Sequence, residues 1–185
     1  LESRKGQIRG DITPYYLFHP KAPARIKALL PRVKLITLLR DPVERAISQY
    51  FHAKRHGFET LEIEDALKIE HKRMASGNLY SHQKHSYVSR SKYLEQLDRY
   101  EAIFSKKQIL IISSEKFFND PNQTWSDIQH FLGVTKKPIG PVLFKENQGS
   151  KESSSIDERI RLELRHQLKD TAKGVKSRYG FDWGW

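Results

Sequence analysis

The chain contains no cysteine and no long hydrophobic run. The absence of cysteine excludes disulfides, thiol catalysis and cysteine-ligated zinc sites. It also fits a reducing compartment, so a cytoplasmic location is expected. No stretch approaches the roughly 20 apolar residues that a membrane-spanning helix requires. Residues 1–10 show no apolar core of a secretory signal, so none is predicted in this sequence.

The composition instead predicts a basic globular domain. The sequence has 185 residues, which is a single-domain length, and 37% of them are hydrophobic. Lys and Arg number 33 against 22 Asp and Glu, which gives a formal net charge of +11. A field of this sign attracts nucleic acid, an anionic polysaccharide or a phosphorylated cofactor. On charge alone, an ordinary soluble basic surface is the favoured explanation.

Periodicity predicts helices that alternate with two buried strands, which favours an α/β fold with a parallel sheet. The strands are "VKLITLL", which is expected to be covered on both faces, and "QILIIS", which is expected to be a second buried strand. Helices are predicted for 22–30, 43–57, 61–74, 91–104, 121–132 and 156–178, with a basic, aromatic-bearing loop at 78–90 and a polar loop at 145–155.

The first strand ends in a junction that predicts an anion site. Arg40 is the last strand residue, Asp41 and Pro42 form a helix cap and first-turn proline, and Ser48 lies two turns further on the same face. Ligands of open α/β sheets bind beyond the carboxyl ends of strands, where helix starts offer N–H groups. The alternative is that Arg40 pairs with Asp41 or Glu44 and that Ser48 is an ordinary helix residue.

The block "PRVKLITLLRDPVERAISQY" closely resembles the 3′-phosphate-binding segment of sulfotransferases that use 3′-phosphoadenylyl sulfate (PAPS). The resemblance extends through "GDITPYYLFHPKAPARIKALLP", "YLEQLDRYEAIFSKKQILIISSEKFFNDPNQTWSDIQHFLGV" and "GFDWGW", and it is greatest to the bacterial and heparan-type branch. It implies that Arg40 and Ser48 hold the 3′-phosphate of the nucleotide. It further implies a P-loop-NTPase-like parallel sheet flanked by helices, PAPS as co-substrate, its desulfated product PAP, and no metal. The acceptor would present a hydroxyl or amine on a carbohydrate or small molecule.

The resemblance also assigns a catalytic base. Heparan-type relatives carry a Glu in a Gly-Glu-Lys-Thr-Pro segment, and this chain has "GDITP", so the role falls on Asp11. Its carboxylate is one methylene closer to the backbone, and Ile12 stands where the family has Lys. The alternative for Asp11 is an Asx turn ahead of Pro14.

Two further features of the family bear on the nucleotide. Nothing in this sequence resembles the family's N-terminal strand and phosphate loop, so we expect residues 1–185 to be a single, N-terminally incomplete domain, with those elements before Leu1. Lys145 and Lys151 flank a stretch that matches the family's basic loop over the nucleotide, and a solvated loop is the alternative reading.

Other readings remain open from the sequence. His52 and His56 have metal-ligand spacing, but no third ligand is indicated. Arg45 either supports the phosphate or pairs with Glu44 or Gln49. A non-catalytic module that binds nucleic acid or sulfated glycan and a degenerate sulfotransferase without turnover are the rival functions, with nucleic acid the less expected partner.

Overall fold

The computed structural model describes residues 8–140, 153 and 155–185. Two parallel strands, β1 (Leu35–Leu39) and β2 (Ile109–Ser113), pair in register from Leu35 opposite Ile109 to Leu39 opposite Ser113. The helices of the described residues are α1 (Tyr15–Phe18), α2 (Ala22–Leu29), α3 (Pro42–Arg55), α4 (Ile63–Ala75), α5 (Leu79–Lys84), α6 (Tyr93–Glu101), α7 (Ser114–Asn119), α8 (Pro121–Leu132) and α9 (Glu158–Tyr179). The predicted α/β class with a parallel sheet is confirmed.

Local sequence signals explain where the helices next to the sheet begin and end. Asp41 and Asp120 accept hydrogen bonds from backbone N–H groups of the first turns of α3 and α8, and a proline follows each cap. Gly133 ends α8 with a φ of +75°, a left-handed conformation that glycine adopts without a steric penalty. These boundaries agree with the predicted ones.

The two faces of β1 differ in burial among the described residues. Leu39 is buried against α6 and α9, whereas Ile36 and Leu38 on the opposite face are 36% and 49% exposed. Successive strand residues point to opposite faces, and the described helices cover the Leu39 face. The prediction that both faces of this strand are covered is therefore wrong for the described part of the chain.

Two apolar clusters anchor α9 to the rest of the domain. One joins α3, α4 and α9 through residues such as Ile47 and Leu164, and the other joins β1, α6 and α9 through Leu39, Leu97 and Val175. Gly174 of α9 faces the side chain of Leu94, and a Cβ placed there would lie 2.3 Å from it. Glycine thus permits the close approach of α6 and α9.

The segment 78–90 is not the loop that was predicted. It forms α5 and a 3-10 turn at Ser89–Ser91, and Tyr87 in between is fully buried. The buried Glu70 carboxylate accepts the N–H groups of Val88 and Ser89, each at 2.8 Å. These long-range acceptors satisfy backbone groups that a polar sequence would otherwise leave to water, so the segment packs.

Candidate functional site

The Arg40–Asp41 junction is held from three distant parts of the chain. Tyr93 Oη donates to the Arg40 carbonyl oxygen at 3.1 Å. The Asp41 backbone N–H donates to Glu115 Oε1 at 2.9 Å, and Trp185 Nε1 donates to Asp41 Oδ2 at 2.6 Å. The carboxyl end of β1 therefore has a defined backbone position before any ligand is considered.

The start of α3 does not offer the free donors that the sequence suggested. Asp41 Oδ1 accepts the N–H groups of Val43 at 2.7 Å and Glu44 at 3.0 Å. These first-turn donors are already occupied, so an anion at this edge would depend on side chains. The expectation that free helix-start N–H groups form the anion site is wrong for these two residues.

Arg40 and Ser48 remain available for a ligand. Both are half-buried, and neither side chain has a hydrogen bond or ion pair with another described residue. The alternative pairing of Arg40 with Asp41 or Glu44 does not occur: Asp41 binds the indole of Trp185, and Glu44 pairs with Arg161. The strand–helix unit thus carries an uncommitted guanidinium and hydroxyl at the two positions expected from the sequence.

Two further arginines near this edge, Arg45 and Arg90, donate hydrogen bonds only to neutral groups among the described residues, and Arg90 Nε is buried without a partner there. Arg45 donates to the Tyr87 carbonyl at 2.9 Å and to Gln49 Oε1 at 3.2 Å, and Arg90 donates to the same Gln49 oxygen at 3.4 Å and to the Gln83 carbonyl. Burial, and to a smaller extent the nearby Arg45 cation, lowers the pKa of Arg90 to about 10. Burial also lowers the pKa of Arg45. The sequence alternative of an Arg45–Gln49 contact is confirmed.

Asp11 is exposed and lightly held. Its one hydrogen bond among the described residues comes from Thr13 Oγ1 to Oδ2 at 3.3 Å. Four residues later, the ring of Tyr15 lies 4.8 Å from the Arg90 guanidinium, which in turn contacts Gln49 next to Ser48. Through these contacts the segment that follows Asp11 packs on the same side of the molecule as α3.

The remaining candidates divide into those described and those outside the described residues. Lys145 and Lys151 lie outside them. The rings of His52 and His56 stack with centroids 4.3 Å apart. Across residues 8–140 and 155–185, no group of three or more potential metal ligands was found, and no helix is long and apolar enough to cross a membrane.

Sequence reasoning missed the residues that position the junction. Glu115 lies two residues after the end of β2, and because parallel strands end at one edge, this placement was a readable signal. Trp185 belongs to the aromatic stretch "GFDWGW", and its partner Asp41 lies 144 positions away. Tyr93 lies in the helix predicted for 91–104, and helical periodicity carries no information about its hydroxyl.

Comparisons with known proteins agree with this architecture. The Sulfotransferase domain family matches residues 17–173. Human heparan sulfate glucosamine 3-O-sulfotransferase 3B1 is 33% identical over 133 residues, which cover 71% of this chain and 32% of that protein. Mouse bifunctional heparan sulfate N-deacetylase/N-sulfotransferase 4 is 33% identical over 126 residues, covering 65% of this chain and 14% of the relative.

A solved structure extends the agreement to the fold. The sulfotransferase from Alicyclobacillus acidocaldarius superimposes with a TM-score of 0.73 at 28% identity, covering 91% of this chain and 63% of that one. This similarity confirms the predicted P-loop-NTPase-like arrangement. The chain spans about a third of the human relative's length. On the family match and the shared fold, the chain belongs to the sulfotransferase domain family.

Proposed function

We propose that this domain binds PAPS and transfers its sulfuryl group to a hydroxyl or amine of an acceptor. Arg40 and Ser48 hold the 3′-phosphate of the nucleotide. The observation that carries the proposal is that Arg40, half-buried at the carboxyl end of β1, has no protein acceptor among the described residues. A guanidinium can bind two phosphate oxygens at once, and such charge-assisted bonds are the strong ones.

The chemistry assigned to the site is an in-line displacement. Asp11 accepts the acceptor proton while the acceptor oxygen or nitrogen attacks sulfur, and the bond from sulfur to the phosphate oxygen breaks. The products are the sulfated acceptor, a proton on Asp11 and PAP. Lys145 and Lys151 are proposed to contact the nucleotide phosphates as point charges.

A carbohydrate acceptor is the substrate class that the relatives support. The names of the two mammalian relatives specify heparan sulfate. The net charge of +11 suits a substrate of opposite sign, because a field of that sign raises the rate of encounter with polyanions. We therefore infer a carbohydrate acceptor that carries negative charge.

Isothermal titration calorimetry of Arg40→Ala in the full-length protein tests the nucleotide site. We expect the affinity for PAP to fall about 100-fold or more, since a charge-assisted pair with a partly buried phosphate is lost. The affinity for adenosine 5′-monophosphate, which lacks the 3′-phosphate, should change less than about threefold. Unchanged PAP affinity would overturn the assignment.

Salt dependence separates this proposal from a polyanion-binding module. Non-specific binding of nucleic acid or sulfated glycan weakens steeply with salt and does not depend on a 3′-phosphate. A preference for PAP over the monophosphate that persists at about 0.5 M salt would support a nucleotide pocket. Equal, salt-sensitive affinity for both nucleotides would instead identify a polyanion-binding surface.

A further inference from the structure

Asp41 links the aromatic tail to the first turn of α3 through its two carboxylate oxygens. Oδ1 accepts the N–H groups of Val43 and Glu44, while Oδ2 accepts the indole N–H of Trp185 at 2.6 Å. The indole also packs on the apolar cluster that contains Val43. One side chain thus connects the helix start to a residue 144 positions later in the chain.

Hydrogen bonds to the Arg40–Asp41 peptide bond fix the backbone from which the Arg40 side chain extends. The peptide bond that joins Arg40 to Asp41 is held at both of its polar groups, since Tyr93 Oη donates to the Arg40 carbonyl at 3.1 Å and the Asp41 N–H donates to Glu115. The carboxylate of Asp41 is in turn held by Trp185. A long side chain with no protein acceptor depends on such backbone anchors for its placement, and misplacement by about 1 Å is costly at a binding site.

We propose that Trp185 is a positioning residue for the 3′-phosphate: its indole N–H holds the Asp41 carboxylate, and through it the Arg40 backbone, in the geometry that receives the anion. This inference rests on the proposed nucleotide function. Burial raises the pKa of Asp41, and the hydrogen bonds from Trp185 and the Val43 amide oppose that shift. The indole therefore also favours the ionised carboxylate on which both sets of contacts depend.

A purely structural tryptophan would behave differently from a positioning one. Loss of a structural hydrogen bond lowers the free energy of unfolding but changes all ligand affinities alike. Loss of a positioning bond reduces the preference for PAP over adenosine 5′-monophosphate, because the 3′-phosphate is the one group that distinguishes these ligands at Arg40. The ratio of the two affinities is therefore the informative quantity.

The test compares Trp185→Phe with Trp125→Phe in the full-length protein. Trp125 is a matched control, since its Nε1 donates to the Lys137 carbonyl at 2.9 Å, away from the junction. We expect Trp185→Phe to weaken PAP binding about five- to tenfold and monophosphate binding less than twofold, as for one lost hydrogen bond. Trp125→Phe should leave the affinity ratio unchanged at a similar loss of Tm.

Tyr93→Phe, which removes the other anchor of Arg40, provides the same measurement if Trp185→Phe does not fold. The positioning role is wrong if Trp185→Phe, or Tyr93→Phe where that variant is used instead, has the same ratio of PAP affinity to monophosphate affinity as Trp125→Phe. Arg40→Ala keeps this failure distinct from failure of the proposed function. If Arg40→Ala abolishes the PAP preference and Trp185→Phe does not, the positioning role alone is wrong. If Arg40→Ala leaves the preference intact, the nucleotide assignment is wrong and the positioning role falls with it.

Discussion

Arginines on the α4 and α9 helices are neutralised by carboxylates, whereas those around the β1–α3 junction are not. Along α4 and α9, ion pairs join Arg73 to Glu59, Arg159 to Glu64, Arg161 to Glu44, Arg165 to Glu158 and Arg178 to Asp98. Around the junction, Arg40, Arg45, Arg90 and Arg99 are partly buried and have no carboxylate within 4 Å among the described residues.

The difference separates charge that stabilises the fold from charge that remains for a ligand. A partly buried cation without a counter-ion costs free energy, since desolvation disfavours the charged form. Arg45, Arg90 and Arg99 recover part of this cost through neutral carbonyl and amide acceptors. Arg40 has no hydrogen-bond acceptor among the described residues, so an anionic ligand is the partner that would supply one.

The largest expected effect concerns Asp11, the proposed catalytic base. Asp11→Asn should lower the rate of sulfuryl transfer from PAPS to a heparan-type acceptor about 10²- to 10⁴-fold, because a positioned base contributes on that order. Its one hydrogen bond among the described residues is to Thr13, so the fold does not depend on it. Steady-state kinetics of the full-length protein measure the loss.

Asp11→Glu is the matched control for this prediction. It restores the carboxylate at the length found in the relatives' motif and should retain transfer, while PAP affinity stays within about twofold for both variants. If Asp11→Asn transfers sulfate at the parental rate, the base lies elsewhere and Asp11 has only a local turn role.

Truncation of Arg45 should lower the stability of the protein, whereas truncation of Arg40 should leave it nearly unchanged. Arg45→Ala leaves a cavity and removes the hydrogen bonds that Arg45 donates to the Tyr87 carbonyl and to Gln49 Oε1, so we expect a loss of about 2 to 3 kcal/mol in the free energy of unfolding. Arg40→Ala removes no hydrogen bond or ion pair to a described residue and should change stability by less than about 0.5 kcal/mol. Urea denaturation of both variants decides this, and equal losses would contradict the division.

The role of the ion-paired arginines can be tested through the pH dependence of stability, since Glu59 pairs with Arg73. Burial alone would raise its pKa, but hydrogen bonds from Arg73, Tyr87 and the Leu61 amide lower the pKa to about 2, from an ordinary 4.5. A depressed pKa contributes stability that is present above about pH 4.5 and is lost as the pH falls toward 2. The contribution is on the order of 2 to 3 kcal/mol.

Comparison of the parent protein with Glu59→Gln between pH 7 and pH 3 isolates this contribution. The difference in the free energy of unfolding should be largest at pH 7 and should shrink as the pH falls, since the unfolded carboxylate protonates first. A difference that stays constant with pH would show that the Glu59 charge does not contribute in this way.

The elements around the junction were predictable because their signals are local. Asp41-Pro42 caps α3, and Asp120-Pro121 with Gly133 bounds α8. Local signals also located Arg40 and Ser48, because strand end and helical spacing are properties of a few neighbouring residues. The predicted cap at Asp41 already implies that its side chain occupies first-turn N–H donors, which conflicts with the expectation that those donors are free for an anion.

Residues held by distant partners escaped prediction. The packing of 78–90 depends on Glu70 and Glu59, which accept hydrogen bonds from Val88, Ser89 and Tyr87. A polar composition without periodicity reads as a loop unless those acceptors are known. The docking of Trp185 on Asp41 is likewise set by the path of α9, which sequence patterns do not encode.

The smallest expected effect belongs to Ser48, whose hydroxyl has no partner among the described residues. Ser48→Ala should lower PAP affinity about five- to tenfold, as for one hydrogen bond to phosphate at a half-buried site, and should leave stability within about 0.5 kcal/mol.

If Arg40 and Ser48 bind the same phosphate, the double variant Arg40→Ala/Ser48→Ala should lose less binding free energy than the sum of the two single losses. The reason is that the second substitution removes a contact to an anion that the first has already displaced. Calorimetry on the four proteins gives this coupling directly. Strict additivity would place the hydroxyl and the guanidinium on different groups of the ligand.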